Sequence, residues 1–91
     1  MVFEIIDATG RLIRLNKLQH AHIMEHTTMT NKIEDIKEAL HKPAIIKTSV
    51  NDDRVKYYYQ FKKELRMFIM VVVKYLNGHG FVITAYLTKT L

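Results

Sequence analysis

The sequence contains no cysteine, which excludes a disulfide framework and any thiolate metal site. That absence fits a reducing cytoplasm. Long apolar runs are also missing. The longest, Met67 to Val73, is far too short to cross a bilayer as a helix, so no membrane partner is expected. The first ten residues, MVFEIIDATG, are acidic and carry no basic stretch, so a signal peptide is not expected there. Repeats, linkers and low-complexity stretches are absent. Acidic residues are scarce in one half only. Residues 1–53 hold seven Lys/Arg and eight Asp/Glu, net −1, whereas residues 54–91 hold seven Lys/Arg and only Glu64, net +6. A near-neutral half joined to a strongly basic one points to a polyanionic partner, and a merely basic surface is the plainer alternative.

Ninety-one residues make one domain, 1–91, with a thin core. A hydrophobic fraction of 48% is ordinary for a folded chain. VFEIID alternates as a strand does, Ala8-Thr9-Gly10 signals a turn, and RLIRL resumes the alternation, so an N-terminal hairpin is expected. Asn16 is placed to cap a helix over residues 17–28. A second helix is expected over 31–41, with Asn31 and Glu34 as its capping pair, an apolar stripe of Ile33, Ile36 and Leu40, and Pro43 just beyond its end. The period then changes from 3.6 to 2. AIIKTSV, RVKYYYQFK, LRMFIMVVVKYL and FVITAYLT read as four strands, with turns at Asn51-Asp52-Asp53 and Asn77-Gly78-His79-Gly80. The expected architecture is α+β: a hairpin and two helices packed on a four-stranded antiparallel sheet.

Strand parity then assigns faces. In the last strand Phe81, Ile83, Ala85 and Leu87 form the expected core face, with Val82, Thr84 and Tyr86 opposite. In the strand from Arg54, the set Val55, Tyr57, Tyr59 and Phe61 is expected to meet the helices. Arg54, Lys56, Tyr58, Gln60 and Lys62 then face outward. One sheet face would therefore carry Thr84, Tyr86, Tyr58, Lys56 and Lys74. Rings on which bases stack, beside cations that meet phosphates, suit single-stranded nucleic acid. A solvated outer face on a one-sided sheet is the plainer account of the same residues.

Three of the five histidines lie in HAHIMEH, residues 20–26, and His22 and His26 share a helix face. Metal ligation at i, i+4, a place at the core edge, and acid–base catalysis near neutral pH are all open to that pair. Glutamate is misplaced for a zinc-helix motif, and no third ligand follows.

Taken together, DATGRLIRLNKLQHAHIMEH, IKEALHKPAIIKT, VKYYYQF and FIMVVVKYLNGHGFVITAY resemble the barnase–EndoU–colicin–RelE-like nucleases of phages and prokaryotes, over roughly residues 5–87. The shared pattern is a glycine turn, a helix bearing H-I-x-x-H, a helix ending near Lys-Pro, a paired-tyrosine strand and a closing V-I-T-A-Y. The chain departs from it after the second histidine, where His26-Thr27-Thr28-Met29 stands in place of His-Pro-Glu-Met. The resemblance implies a cytoplasmic endoribonuclease that needs no metal or other cofactor, in the manner of a toxin, with RNA as substrate and an antitoxin or inhibitor protein as a further partner. It assigns catalysis to His22, His26, Thr84 and Tyr86. RNA binding would fall to Arg54, Lys56, Tyr58 and Lys74, with Tyr57 or Tyr58 matching the family's tyrosine strand. A non-catalytic module binding RNA or protein through the same basic face is the alternative.

Overall fold

Short stretches of alternating and helical periodicity set the local structure, and the computed structural model describes all of residues 1–91. Strands β1 (Phe3–Ile6) and β2 (Leu12–Leu15) form the first hairpin. Helix α1 (Lys17–Met24) starts where expected, because Asn16 Oδ1 accepts the Gln19 N–H at 2.8 Å. It stops four residues short of the expected end. A single 3-10 turn, Thr27–Met29, follows it. Helix α2 (Ile33–His41) also starts later than expected. Asn31 adopts a left-handed backbone, φ 61°, and Lys32 takes the cap position, so the Asn31–Glu34 capping pair does not form. Strands β3 (Ile45–Thr48), β4 (Val55–Lys62), β5 (Met67–Leu76) and β6 (His79–Thr88) complete the chain. Asn77 and Gly78 both have positive φ, 54° and 80°, which matches the hairpin turn whose twist suits adjoining strands.

The sheet departs from the expected four antiparallel strands. It has six strands in the order β1-β2-β6-β5-β4-β3 and is mixed, because β2 pairs parallel with β6 at Ile13–Gly80 and Arg14–Phe81. The hairpin is thus part of the sheet and not a separate unit. Gly80 makes the junction possible. A Cβ built there would lie 2.2 Å from Ile13 Cδ1 and 2.9 Å from side-chain carbons of Tyr75 and Val73. Glycine inside a strand often marks such close approach. Gly80→Ala is expected to destabilise the fold by about 1–3 kcal/mol through overpacking, readable as a lower urea midpoint with an unchanged m-value. An unchanged midpoint would mean that Ile13 moves aside at no cost.

Helices α1 and α2 and the 3-10 turn lie on one sheet face and bury Ile23, Ile36, Leu40 and Met29 there, but not against Val55, Tyr57 and Ile83, the partners expected with Ala85. Two parity assignments are corrected. In β6 the register slips between Val72 and Val73 of β5, so that Val72 faces Thr84 while Val73 faces Val82, and Ile83 is the extra residue of a bulge. Ala85 keeps its expected core position. Val82 is buried in place of Phe81 and Ile83, which are exposed, and Thr84 and Tyr86 stay on the other face. In β4 the assignment reverses completely. Tyr58 is fully buried under the helices, and Val55, Tyr57, Tyr59 and Phe61 lie on the uncovered face. The physical reason is polar. Gln60 and Lys62 are drawn to α2, where Gln60 Nε2 donates to Lys42 O at 3.1 Å and Lys62 Nζ meets Asp35 Oδ1 at 2.7 Å.

Candidate functional site

No helix covers the second face of the sheet. Cross-strand pairing lays its side chains in rows. One row runs Tyr86, Met70, Tyr59, Ile45, and the next runs Thr84, Val72, Tyr57, Lys47. Tyr59, Met70 and Val72 are nearly buried by their own neighbours, Val55, Tyr57 and Phe68 among them. Phe61 and Phe68 meet edge to face with centroids 5.2 Å apart. Lys47 Nζ stands 5.6 Å from the Tyr59 ring. Burial raises the Tyr59 phenol pKa, and the neighbouring Tyr86 and Tyr57 raise it further.

His26 closes one side of the face. Ile23 and Met29, both fully buried, pin the end of α1 and the following 3-10 turn against β6. His26 lies between them in sequence, and its ring centroid sits 6.2 Å from that of Tyr86, tilted by 48°. Both rings are exposed. Thr84 lies two residues before Tyr86 on the same side, half-buried. The structure therefore brings together three of the four expected catalytic residues. His22 is the fourth. It lies one helical turn earlier on the solvent side of α1, with Nδ1 3.9 Å from Glu25 Oε2. Leu18 and Ala21, which share its face, are exposed too, Leu18 to 66%. The core side of α1 is Ile23.

The expected RNA-binding residues are dispersed. Tyr58 is in the core and presents no ring to a base. Lys56 pairs across the ladder with buried Val73, so it projects on the helix side, where its Nζ donates to Thr48 Oγ1 at 2.9 Å. Lys74 does lie on the open face, but its Nζ is 3.5 Å from Asp52 Oδ2. Arg54 also binds Asp52, through Nε at 3.1 Å and Nη2 at 3.3 Å. The hydrogen bonds from the Arg54 side chain and backbone, more than its charge or that of Lys74, lower the Asp52 pKa to about 2. With Lys62 held by Asp35, three of the seven second-half cations are partnered by first-half carboxylates. The charge asymmetry of the sequence is thus partly cancelled in space. The rings that parity assigned to the core, Tyr57 and Tyr59, occupy the open face instead.

Sequence reasoning missed Asp7. It ends β1, and its buried carboxylate is fully committed. Oδ1 accepts from the Thr9 N–H at 2.8 Å, the Thr9 hydroxyl at 2.6 Å and the Arg11 N–H at 3.0 Å. Oδ2 accepts from the hydroxyls of Tyr58, at 2.8 Å, and Tyr75. The Arg11 guanidinium lies 3.5 Å over the Tyr75 ring. Burial alone would raise the Asp7 pKa. Hydrogen bonds from Thr9, Tyr75, the Arg11 backbone and Tyr58 outweigh it and hold the pKa below the ordinary value. The available signal was an Asp opening a Gly-containing turn between two strands, the usual place for a side chain that caps its own turn.

No three His, Asp or Glu side chains converge as a metal-ligand set. No helix is long and apolar enough to cross a membrane. Compared with protein-family models, with curated proteins and with solved structures, the chain matches none. The class defined by its fold is an α+β domain with both helices on one face of a mixed sheet and the other face bare.

Proposed function

We propose that this chain is a metal-independent endoribonuclease acting where His26 meets Tyr86, at the rim of the open aromatic face. The observation that carries the reading is that juxtaposition. An exposed imidazole stands over an exposed phenol, with the Thr84 hydroxyl on the same strand face. In the proposed step the ribose 2′-oxygen attacks the adjacent phosphorus and gives up its proton to a base. The bond from phosphorus to the 5′-oxygen breaks, and that oxygen receives a proton from an acid. The products are a 2′,3′-cyclic phosphate and a free 5′-hydroxyl. Imidazole is suited to carry one of these protons near neutral pH. The hydroxyls of Tyr86 and Thr84 donate hydrogen bonds to the phosphoryl oxygens as charge builds on them. A base of a flanking nucleotide stacks on Tyr57, which is only half-buried, and Lys47 meets a phosphate.

The test is incubation of the purified chain with single-stranded RNA in excess EDTA, followed by analysis of the new ends. Cyclic phosphate ends are expected. RNA bound and recovered intact would replace this reading with the non-catalytic binding module.

The tether at Asp52 supplies a second expectation. Asp52→Asn removes the carboxylate that neutralises Arg54 and Lys74. RNA affinity should rise, and the slope of log affinity against log salt should steepen by up to about 1.4 for two further phosphates at ~0.7 each on a single strand. An unchanged slope would show that neither cation lies on the RNA path.

A further inference from the structure

We propose that the open sheet face also closes on a second copy of this chain, and that the dimer competes with RNA for it. A sheet covered on one side ordinarily turns polar residues to solvent on the other. This face does not. Its centre is Tyr59, Met70 and Val72, and Phe61, Phe81 and Tyr86 around it are exposed to 48%, 38% and 38%. Apolar patches of this extent on a small protein mark contact surfaces.

Area and charge select the occupant. Strands β5 and β6 are ten residues long. At about 3.3 Å per residue and about 4.8 Å per strand, β5 and β6 with the eight residues of β4 and the four of β3 give a footprint of roughly 500 Å². That approaches the lower end of the standard range, about 600 Å² per partner. Two of its cations are neutralised from within the chain, Arg14 by Glu4 at 2.8 Å and Lys74 by Asp52, and the third, Lys47, stands at its margin on β3 beside the Tyr59 ring. A partner recognised by charge would need a patch of one sign, and the centre of this face has none. A neutral apolar surface is complementary to itself, which is what a two-fold contact between identical chains requires. Two such sheets would pack face to face about 10 Å apart with their side chains interdigitated. Tyr57 would then be withdrawn from any base. Dimer formation does not depend on the ribonuclease reading, whereas the competition with RNA rests on it.

Sedimentation velocity without RNA, over protein concentrations from about 1 to about 500 µM, reads the self-association directly. The mass should rise from 10.7 kDa toward twice that value. Phe61→Glu and Phe81→Glu change partly exposed residues, so each should keep the parent's circular dichroism spectrum. Each should weaken the dimer at least about tenfold. Ile46→Lys, at the exposed edge strand β3, should leave it unchanged. A parent chain that stays monomeric throughout overturns the proposal. So does a dimer that survives both phenylalanine variants, or one that is lost with Ile46→Lys, which would place the contact at the sheet edge. Adding a single-stranded RNA oligonucleotide should return the dimer to monomer, and RNA bound without dissociation would overturn the competition. A chain that dimerises but cuts no RNA keeps the dimer and loses only the ribonuclease.

Discussion

Replacing Asp7 with alanine is expected to cost this fold more stability than any other single change at a polar residue. The carboxylate accepts from two buried tyrosine hydroxyls, and its removal leaves both without their anionic partner. The two hydroxyls, 2.5 Å apart, retain only each other. The same change unties the β1–β2 turn, which Asp7 holds through Thr9 and Arg11. Each buried donor left without its acceptor costs about 1–3 kcal/mol, and several lose theirs here, so a loss of at least about 3 kcal/mol is expected. A domain of this size holds only about 5–14 kcal/mol in total. The thermal midpoint should therefore fall by at least about 12 °C, at roughly 4 °C or more per kcal/mol. Asp7→Asn should fall part of the way, since it retains an acceptor oxygen but no charge. The pH dependence has a definite sign. Asp7 is more acidic in the folded chain than in the unfolded one. Its contribution is complete above the unfolded value of about 3.9 and disappears as pH falls through the lower folded value. The gap between parent and Asp7→Asn should thus be constant near neutrality and narrow only in strong acid. A parent and Asp7→Ala variant with equal midpoints at neutral pH would refute the account of the network.

The second large effect concerns the proposed reaction. His26→Ala should reduce cleavage by about 10²–10⁴ while RNA binding is largely kept, the usual loss when a positioned acid or base is removed. Its fold should be unaffected, because His26 is exposed. Tyr86→Phe keeps the ring and removes only the hydroxyl, so it separates stacking from hydrogen bonding to the phosphate. Loss of one such donor costs about 10²–10³. His22→Ala is the internal control. Its side chain is directed at Glu25 on the solvent side of α1, so most activity should remain. A His26→Ala variant that cleaves like the parent would rule out this site. A His22→Ala variant that is the worse of the two would move the chemistry to the outer face of the helix.

Much of the local structure could be read from residue spacing. Asn16 announces the start of α1, Pro43 lies just past the end of α2, and Asn77-Gly78 makes the last hairpin turn, each for a reason confined to a few residues. The rim was legible in part. Thr84 and Tyr86 do face away from the helices, and His26 does reach Tyr86. The assignments that failed share a cause. In β4, both parities offer a tyrosine and a plausible apolar set, and pattern alone cannot choose between them. The helix side offers partners to both Tyr58 and Lys62, since Tyr58 donates to buried Asp7 and Lys62 meets Asp35 on α2, and those partners lie in other elements. In β6, one bulged residue reverses the faces of Phe81 and Val82 relative to Ala85.

Residue patterns along the chain carry the elements and their order: an α+β chain with a hairpin, two helices and a meander, no cysteine chemistry, and a basic second half. Local propensity and turn chemistry act over a few residues, and such information is fully present in the chain. The rest arises from long-range packing. It joined β2 to β6 through the space left by Gly80, partnered second-half cations with first-half carboxylates, and buried Asp7 between Tyr58 and Tyr75. Each of these joins residues far apart in sequence, across contacts whose geometry exists only once the sheet has formed. The same step left one face of that sheet bare, because both helices found their buried partners on the other.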